Sequence, residues 1–317
     1  MTIDSVDSLI SCIQEVQRSP KVKEYLVLGE GSNTVFVEDY PYFVLLNRIK
    51  GIELSENDDQ YSLTVGAGEN WHELVTYCVE RGIGGFENLA LIPGTVGASP
   101  IQNIGAYGVE IEKFIDKVEF LDTATLTIQT LAKHECNFAY RDSIFKRQLP
   151  NSRIITNVFF TLPKRYDFVI DYGPLSALIK PSIKDIYNAV VAVRKSKLPN
   201  VKVMGNAGSF FKNPVIDKVH FAALQNKYHD IVSYPVDQNH VKIPAAWLID
   251  RLGFKGKRIG DIGCHVNQPL VLVNLGNGQG NELLKLAREI RDSVQSEFNI
   301  ALENEVRLMG EQGLVKL

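Results

Sequence analysis

The sequence is short of the features that assign a protein quickly. Its 317 residues include four cysteines, Cys12, Cys78, Cys136 and Cys264, and no two stand in a CxxC pair. That spacing argues against a disulfide framework and a structural zinc, and it fits a reducing compartment. No run of Lys or Arg is long enough to serve as a nucleic-acid arm, and the formal net charge is −3. No stretch approaches the roughly 20 apolar residues of a membrane-spanning helix. The opening MTIDSVDSLISCIQEV is acidic and lacks the basic start and long apolar run of a secretory signal. No Asp/His cluster has metal-ligand spacing, so no catalytic metal is expected. Internal repeats and low-complexity tracts are absent too. The expectation is a soluble cytoplasmic protein that engages neither nucleic acid nor membrane.

What is present is ordinary in bulk and unusual in detail. Apolar residues make up 45% and charged residues 22%, a globular balance. The length exceeds one common core, so two or three domains are expected. Ile10, Ile13 and Val16 recur at helical spacing, and Tyr25 to Leu28 then reads as a short buried strand running into a glycine turn. Strands are expected at Thr34–Val37, Phe43–Leu46 and Ser62–Val65. A helix follows over Trp71 to Glu80, with Gly82 as its C-terminal stop. Further strands are read at 118–121 and 154–160, and helices at 183–193, 245–252 and 281–298. The end of the chain alternates, with Ile300, Leu302, Val306 and Leu308 on one side and Glu303, Glu305 and Arg307 on the other. Gly205 to Ser209 reads as another glycine turn.

Glycine is where the sequence departs from the ordinary. A glycine turn after a buried strand lets backbone N–H groups approach an anion, because no Cβ intervenes. Gly29, Glu30, Gly31, Ser32 and Asn33 have that form, but Thr34 occupies the sixth position and strand follows, so this is no Rossmann fingerprint. Gly66-Ala67-Gly68 fails the same test at Trp71. Each loop alone reads first as a structural turn. Residues 84–108 then add a long glycine-rich stretch, and loops of that length inside compact proteins are usually functional. Within it, Thr95, Ser99, Gln102 and Asn103 are spaced among glycines in a way suited to a pyrophosphate and a heterocycle.

At these residues the chain resembles the UDP-N-acetylenolpyruvoylglucosamine reductases of bacterial peptidoglycan synthesis. The resemblance rests on LGEGSN (28–33), VGAGENWHELV (65–75), ENLALIPGTVGASPIQNIGAYGVEI (87–111) and YRDSIFK (140–146). It continues through KLP (197–199), GNAGSFFKNP (205–214), WLID (247–250) and LENEVR (302–307), in family order across nearly the whole chain. Asp171-Tyr172-Gly173 is similar to a substrate-side loop of the family's first type. Members usually carry a further strand with an Asn-Thr-Phe-Gly motif ahead of the first helix. The resemblance implies an α+β fold: a two-subdomain FAD-binding domain of the vanillyl-alcohol-oxidase type and a C-terminal α+β substrate domain. Carried onto this chain, the first subdomain spans 1–50 with 299–317, the second 51–198, and the substrate domain 199–298. The chain is then expected to be a monomer.

The same resemblance implies the chemistry. NADPH reduces FAD, and an enolpyruvyl UDP-sugar then takes hydride from flavin N5 at C3. Ser209 matches the family's proton donor to C2, Arg141 the arginine holding the carboxylate, and Glu305 the acid that completes the set, with Glu303 as fallback. Without the resemblance, Ser209 reads as a turn serine, Arg141 with Asp142 as an exposed pair, and Glu305 equally as solvated edge or pocket wall. The FAD residues implied are Gly29, Glu30, Gly31, Ser32, Asn33, Pro93, Gly94, Thr95, Gly97, Ala98, Ser99, Gln102, Asn103, Gly105, Ala106, Tyr107, Arg141 and Arg307. Tyr172, Lys197, Asn213 and Gln268 match substrate contacts, while His265 nearby reads as structural. Two rivals stand beside this reading: another FAD oxidoreductase of the same scaffold acting on a sugar or alcohol, and a nucleotide-binding module without redox chemistry.

Overall fold

The computed structural model describes residues 1–19, 24–147 and 151–317. Residue contacts divide the chain into two units, Met1–Ser32 with Tyr42–Arg194, and Asn33–Pro41 with Lys195–Leu317.

The first unit opens with the strand Thr2–Ile3 and the helix Val6–Arg18. Ser5 starts that helix by accepting from the Ser8 amide, which satisfies one of the donors a helix start leaves open. The strands Tyr25–Leu28 and Thr2–Ile3 both pair in parallel with Phe43–Asn47. A five-stranded antiparallel sheet follows, in the order Thr127–Ala132, Ile115–Asp122, Arg153–Pro163, Gln60–Gly66, Ile52–Glu56. Along Arg153–Pro163 buried and less buried residues alternate from Asn157 on, as a half-buried strand requires. The helix Trp71–Glu80, capped by the Asn70 side chain at the Glu73 amide, packs its apolar stripe on this sheet's core. Trp71 meets Phe86 at 5.1 Å between ring centres, and Phe86 meets Phe160 edge-on at 5.2 Å. The indole N–H does not go unbonded there: it donates to the Leu89 carbonyl at 2.9 Å.

The second unit is built on the helix Gly280–Phe298, which buries Leu283, Leu286, Ala287, Ile290, Val294 and Phe298. A four-stranded antiparallel sheet runs Gly205–Ser209, Val271–Asn274, Ile262–Cys264, Arg258–Ile259. The strand Arg307–Gly310 pairs in parallel with Thr34–Phe36, so an early piece of chain is stitched to the last. Gly280 is required at the helix start, because a Cβ there would sit 1.8 Å from the Val37 carbonyl oxygen.

Most expected elements are present within a residue or two, and the departures have physical causes. Gly205 to Ser209 is a strand rather than a turn. It pairs with Val271–Asn274 but shifts register between Asn206 and Ser209, where Gly208 takes φ +75°. The helix read as ending near Val193 continues to Lys197. The terminal alternation is regular strand only from Arg307. Ahead of it Asn304 makes a single bridge with Phe211. On the long helix Leu286 belongs to the buried stripe, while Leu284 is only partly buried.

Candidate active site

In the first unit the glycine loops pack against one another. The Gly29–Ser32 turn lies on the 93–97 segment: a Cβ on Gly29 would fall 2.2 Å from the Thr95 hydroxyl, and one on Gly94 2.9 Å from the Ser32 hydroxyl. Glu30 ties the same two loops, since one carboxylate oxygen accepts from the Gly94 amide at 3.1 Å and the other from Asn70 at 2.7 Å. The third turn joins them. Gly97 donates to the Ala67 carbonyl at 2.9 Å, and a Cβ on Gly68 would lie 2.4 Å from the Arg48 backbone. Arg48 in turn donates to the Gly29 carbonyl at 2.8 Å. Several glycines are therefore explained by loop-on-loop contact. Gly31 is different: it takes φ +70° with its nearest possible Cβ neighbour only at 4.0 Å.

The polar residues of this stretch divide by what they bond. Ser99 is buried and its hydroxyl donates to Val96 at 2.7 Å. Asn103 is fully buried; its amide donates to Glu110 at 3.1 Å and Ala139 at 3.2 Å, and its carbonyl accepts from the Glu112 amide. Ala98 closes a 3-10 turn on Thr95, while Pro93, Ile101 and Gln102 continue the loop. The chain then forms a two-residue hairpin, Gly105–Ala106 against Val109–Glu110. Arg141 reaches this hairpin, donating from Nη2 to the Gly105 carbonyl at 3.0 Å. Three of these candidates, Asn103, Tyr107 and Arg141, hold left-handed backbones with φ of 46°, 49° and 54°. For residues with a side chain that conformation costs about 1–2 kcal/mol each, and such strain gathers where geometry is constrained by function. Tyr107 stands edge-on to Tyr172 with ring centres 6.2 Å apart, and burial pushes its phenol pKa up. Asn88 pins two segments of this corner by donating to the Tyr107 and Val169 carbonyls.

In the second unit the segments carrying two expected catalytic residues, Ser209 and Glu305, are joined by a backbone hydrogen bond. The Glu305 amide donates to the carbonyl of Phe210, the residue after Ser209, at 2.8 Å. Lys212 repeats the pattern by donating to the Glu303 carbonyl at 2.9 Å. Asn33 closes the group: it accepts from the Arg307 amide at 2.9 Å and donates from Nδ2 to the Glu305 carbonyl at 3.2 Å. Arg307 is half-buried, and desolvation holds its pKa below the usual arginine range. Glu303 and Glu305 differ sharply. Glu303 is exposed and pairs with Lys212 at 2.7 Å, whereas Glu305 is half-buried. Asn213 accepts from the Ala245 amide at 2.9 Å, supporting the start of the helix Ala245–Arg251. Gln268 is half-buried in the turn before Val271–Asn274, and Lys197 is exposed at the end of its helix.

Arg194 had no role in the sequence reading, and the structure leaves it half-buried with its Nε out of reach of solvent. Its signal lies in spacing: Ile186 and Val190 are fully buried, and Arg194 is the next position on that stripe. Its Nε is buried with no hydrogen-bond partner. Glu87 also escaped notice; it is buried and accepts from Tyr166 at 2.8 Å and from the Gly85 amide. Burial raises the Cys78, Cys136 and Cys264 thiols to about 12, so these three are poor nucleophiles. Among the described residues no three His, Cys, Asp or Glu side chains gather as metal ligands, and no helix is long and apolar enough to cross a membrane.

The residues present fit a bulky anionic dinucleotide. An open left-handed glycine beside Ser32, a cation at Arg141 and a buried Arg194 Nε without a hydrogen-bond partner are the features such a ligand needs. The comparisons with known proteins agree. Residues 2–132 match the FAD binding domain family, and residues 199–309 match the family described as UDP-N-acetylenolpyruvoylglucosamine reductase, C-terminal domain. The chain is 51% identical over 317 residues to the UDP-N-acetylenolpyruvoylglucosamine reductase of Pseudoalteromonas atlantica, covering 100% of this chain and 91% of that one. It is 44% identical over 323 residues to the Escherichia coli reductase of the same name, covering 99% and 94%. The fold is similar to the crystal structure of the Thermus caldophilus reductase, with a TM-score of 0.65 and 26% identity over 97% of this chain and 90% of that one. The expected α+β fold, FAD-binding domain and FAD-dependent oxidoreductase class are thereby borne out. The chain belongs to the UDP-N-acetylenolpyruvoylglucosamine reductase family.

Proposed function

We propose that the chain reduces the enolpyruvyl ether of UDP-N-acetylglucosamine to UDP-N-acetylmuramate with NADPH, in peptidoglycan precursor synthesis. Beyond family membership, the observation that supports this reading is the backbone bond from Glu305 to Phe210, which ties the Ser209 strand to a half-buried carboxyl. The loops at Gly29–Asn33 and 93–107, with Arg141 and Arg307, would hold FAD, which when bound would supply hydride chemistry at substrate C3 at the expense of NADPH.

The protein's own groups manage the rest. Addition at C3 leaves an electron pair at C2, delocalised into the adjacent carboxylate. The Ser209 hydroxyl gives its proton to C2; a serine is a weak acid, but a carbanion is basic enough to accept from it. Charge grows on the carboxylate oxygens as the C–H bond forms, so the Arg141 guanidinium binds more strongly there than to the ground state. Glu305 completes the set at the same oxygens. Lys197 and Asn213 suit the diphosphate, one by charge and one by hydrogen bonding, while Tyr172 and Gln268 hold the sugar nucleotide. For the ligand-bearing protein we keep the three-part division 1–50 with 299–317, 51–198 and 199–298.

Purified protein is expected to be yellow and to turn over NADPH catalytically under anaerobic conditions only when the enolpyruvyl sugar is added; colourless protein that takes up no FAD defeats the reading. The carboxyl assignment has its own test. Glu305→Gln is expected to lower kcat far more than it raises KM. Glu303→Gln should leave both near the parent, because Glu303 is exposed and its ion pair with Lys212 lies on the surface. Steady-state kinetics giving the opposite order would move the role to Glu303.

A further inference from the structure

The helix Ile183–Lys197 buries Ile186 and Val190 and then, one turn on, places a guanidinium on the same stripe. An apolar side chain is the ordinary occupant of such a position. Arg194 is there instead, and its Nε is buried without a hydrogen-bond partner. Its surroundings do not compensate it. The groups acting on its charge are the Tyr107 phenol and a second cation, Arg141. Arg141 donates to Gly105, two residues before Tyr107, and Tyr107 in turn meets the Tyr172 ring at 6.2 Å. Two guanidiniums and two phenols therefore gather around one strained hairpin. Like charges brought together and partly withdrawn from water cost free energy that a negative group joining them offsets.

We propose that Arg194 is an anion-binding residue of the active site, donating from Nε to an anionic oxygen, carboxylate or phosphate, of a bound ligand beside Arg141. The ligand identities rest on the function proposed above. The competing account is purely structural, with Arg194 packing its stem and leaving its head idle. The two accounts part at Arg194→Met, which keeps the length and removes the charge. If Arg194 is structural, the substitution relieves an unpaired cation and changes no affinity. If Arg194 binds an anion, the variant loses ligand, and it melts no lower than the parent unless the ligand lost is FAD itself.

The experiment uses the parent and the Arg194→Met and Arg194→Gln holoenzymes, with three readouts beside a melting curve. They are the Kd for UDP-N-acetylmuramate, the Kd for UDP-N-acetylglucosamine, which lacks the carboxylate, and the fraction of FAD retained after dilution. A lost charged hydrogen bond should weaken binding roughly 30-fold, about 2 kcal/mol at roughly 1.4 kcal/mol per tenfold. Weakening with the muramate alone assigns the carboxylate, with both sugars the diphosphate, and in FAD retention alone the cofactor phosphates; each supports the proposal. Parent-like behaviour in all three overturns it. A parent that binds neither sugar nucleotide defeats the functional reading instead, and the FAD readout still decides Arg194.

Discussion

Replacing Ser209 by Ala is expected to leave reduction of the flavin by NADPH nearly intact while slowing turnover of the enolpyruvyl sugar by on the order of 100- to 10,000-fold, the usual contribution of a positioned proton donor. The asymmetry follows from the chemistry. Hydride transfer to the flavin needs no proton at substrate C2, whereas the second half-reaction stalls with a charge that has nowhere to go. The backbone makes the substitution mild. Ser209 sits in a strand paired at Val271, and Phe210 on its far side is fixed by the Leu270 and Glu305 bonds, so removing a hydroxyl leaves these contacts in place. Rapid-mixing measurements of each half-reaction check it. Equal loss in both halves would mean that Ser209 holds the site together and does not donate the proton.

Arg141→Ala is expected to raise KM and lower kcat together, with a combined loss in kcat/KM corresponding to about 2–5 kcal/mol, as for removal of one partner of a buried charge pair. Binding falls because the carboxylate loses its cation. Rate falls because the charge that cation stabilises is larger in the transition state. Arg141 also anchors Gly105 by its 3.0 Å bond and holds φ at +54°, so FAD content should be followed in parallel. Arg141→Lys keeps the charge but not the planar fork, and it should recover part of the affinity and little of the rate. Unchanged steady-state kinetics in the Ala variant would remove Arg141 from the site.

How much of this was legible in the sequence depended on whether a residue's partner is near in the chain. The helix Trp71–Glu80 was readable to the residue, because its cap, its apolar stripe and Gly82 at φ +70° are all local. The glycine loops were readable as a cluster. Their spacing did not disclose that Gly29, Gly68 and Gly97 serve loop-on-loop contact while Gly31 faces open space, since those contacts join distant segments. Gly205 to Ser209 was misread as a turn because glycine composition outweighed the pairing with Val271–Asn274, sixty residues away along the chain in round terms. Glu303 and Glu305 looked equivalent on alternation alone. The bridge between Asn304 and Phe211 interrupts the regular strand, leaving one carboxyl exposed with Lys212 and the other half-buried. Arg194 had a legible signal in its spacing from Ile186 and Val190, but a lone arginine on a helix is ordinarily taken as surface.

The central claim is that one flavin carries electrons from NADPH to an enolpyruvyl double bond in two separable steps. It is tested most directly by bleaching the anaerobic holoenzyme with one equivalent of NADPH and then adding the enolpyruvyl UDP-sugar. The account predicts that the flavin absorbance returns with formation of UDP-N-acetylmuramate, and that UDP-N-acetylglucosamine leaves the enzyme bleached. An enzyme that stays bleached with the enolpyruvyl sugar, or that recolours equally with both sugars, would contradict it.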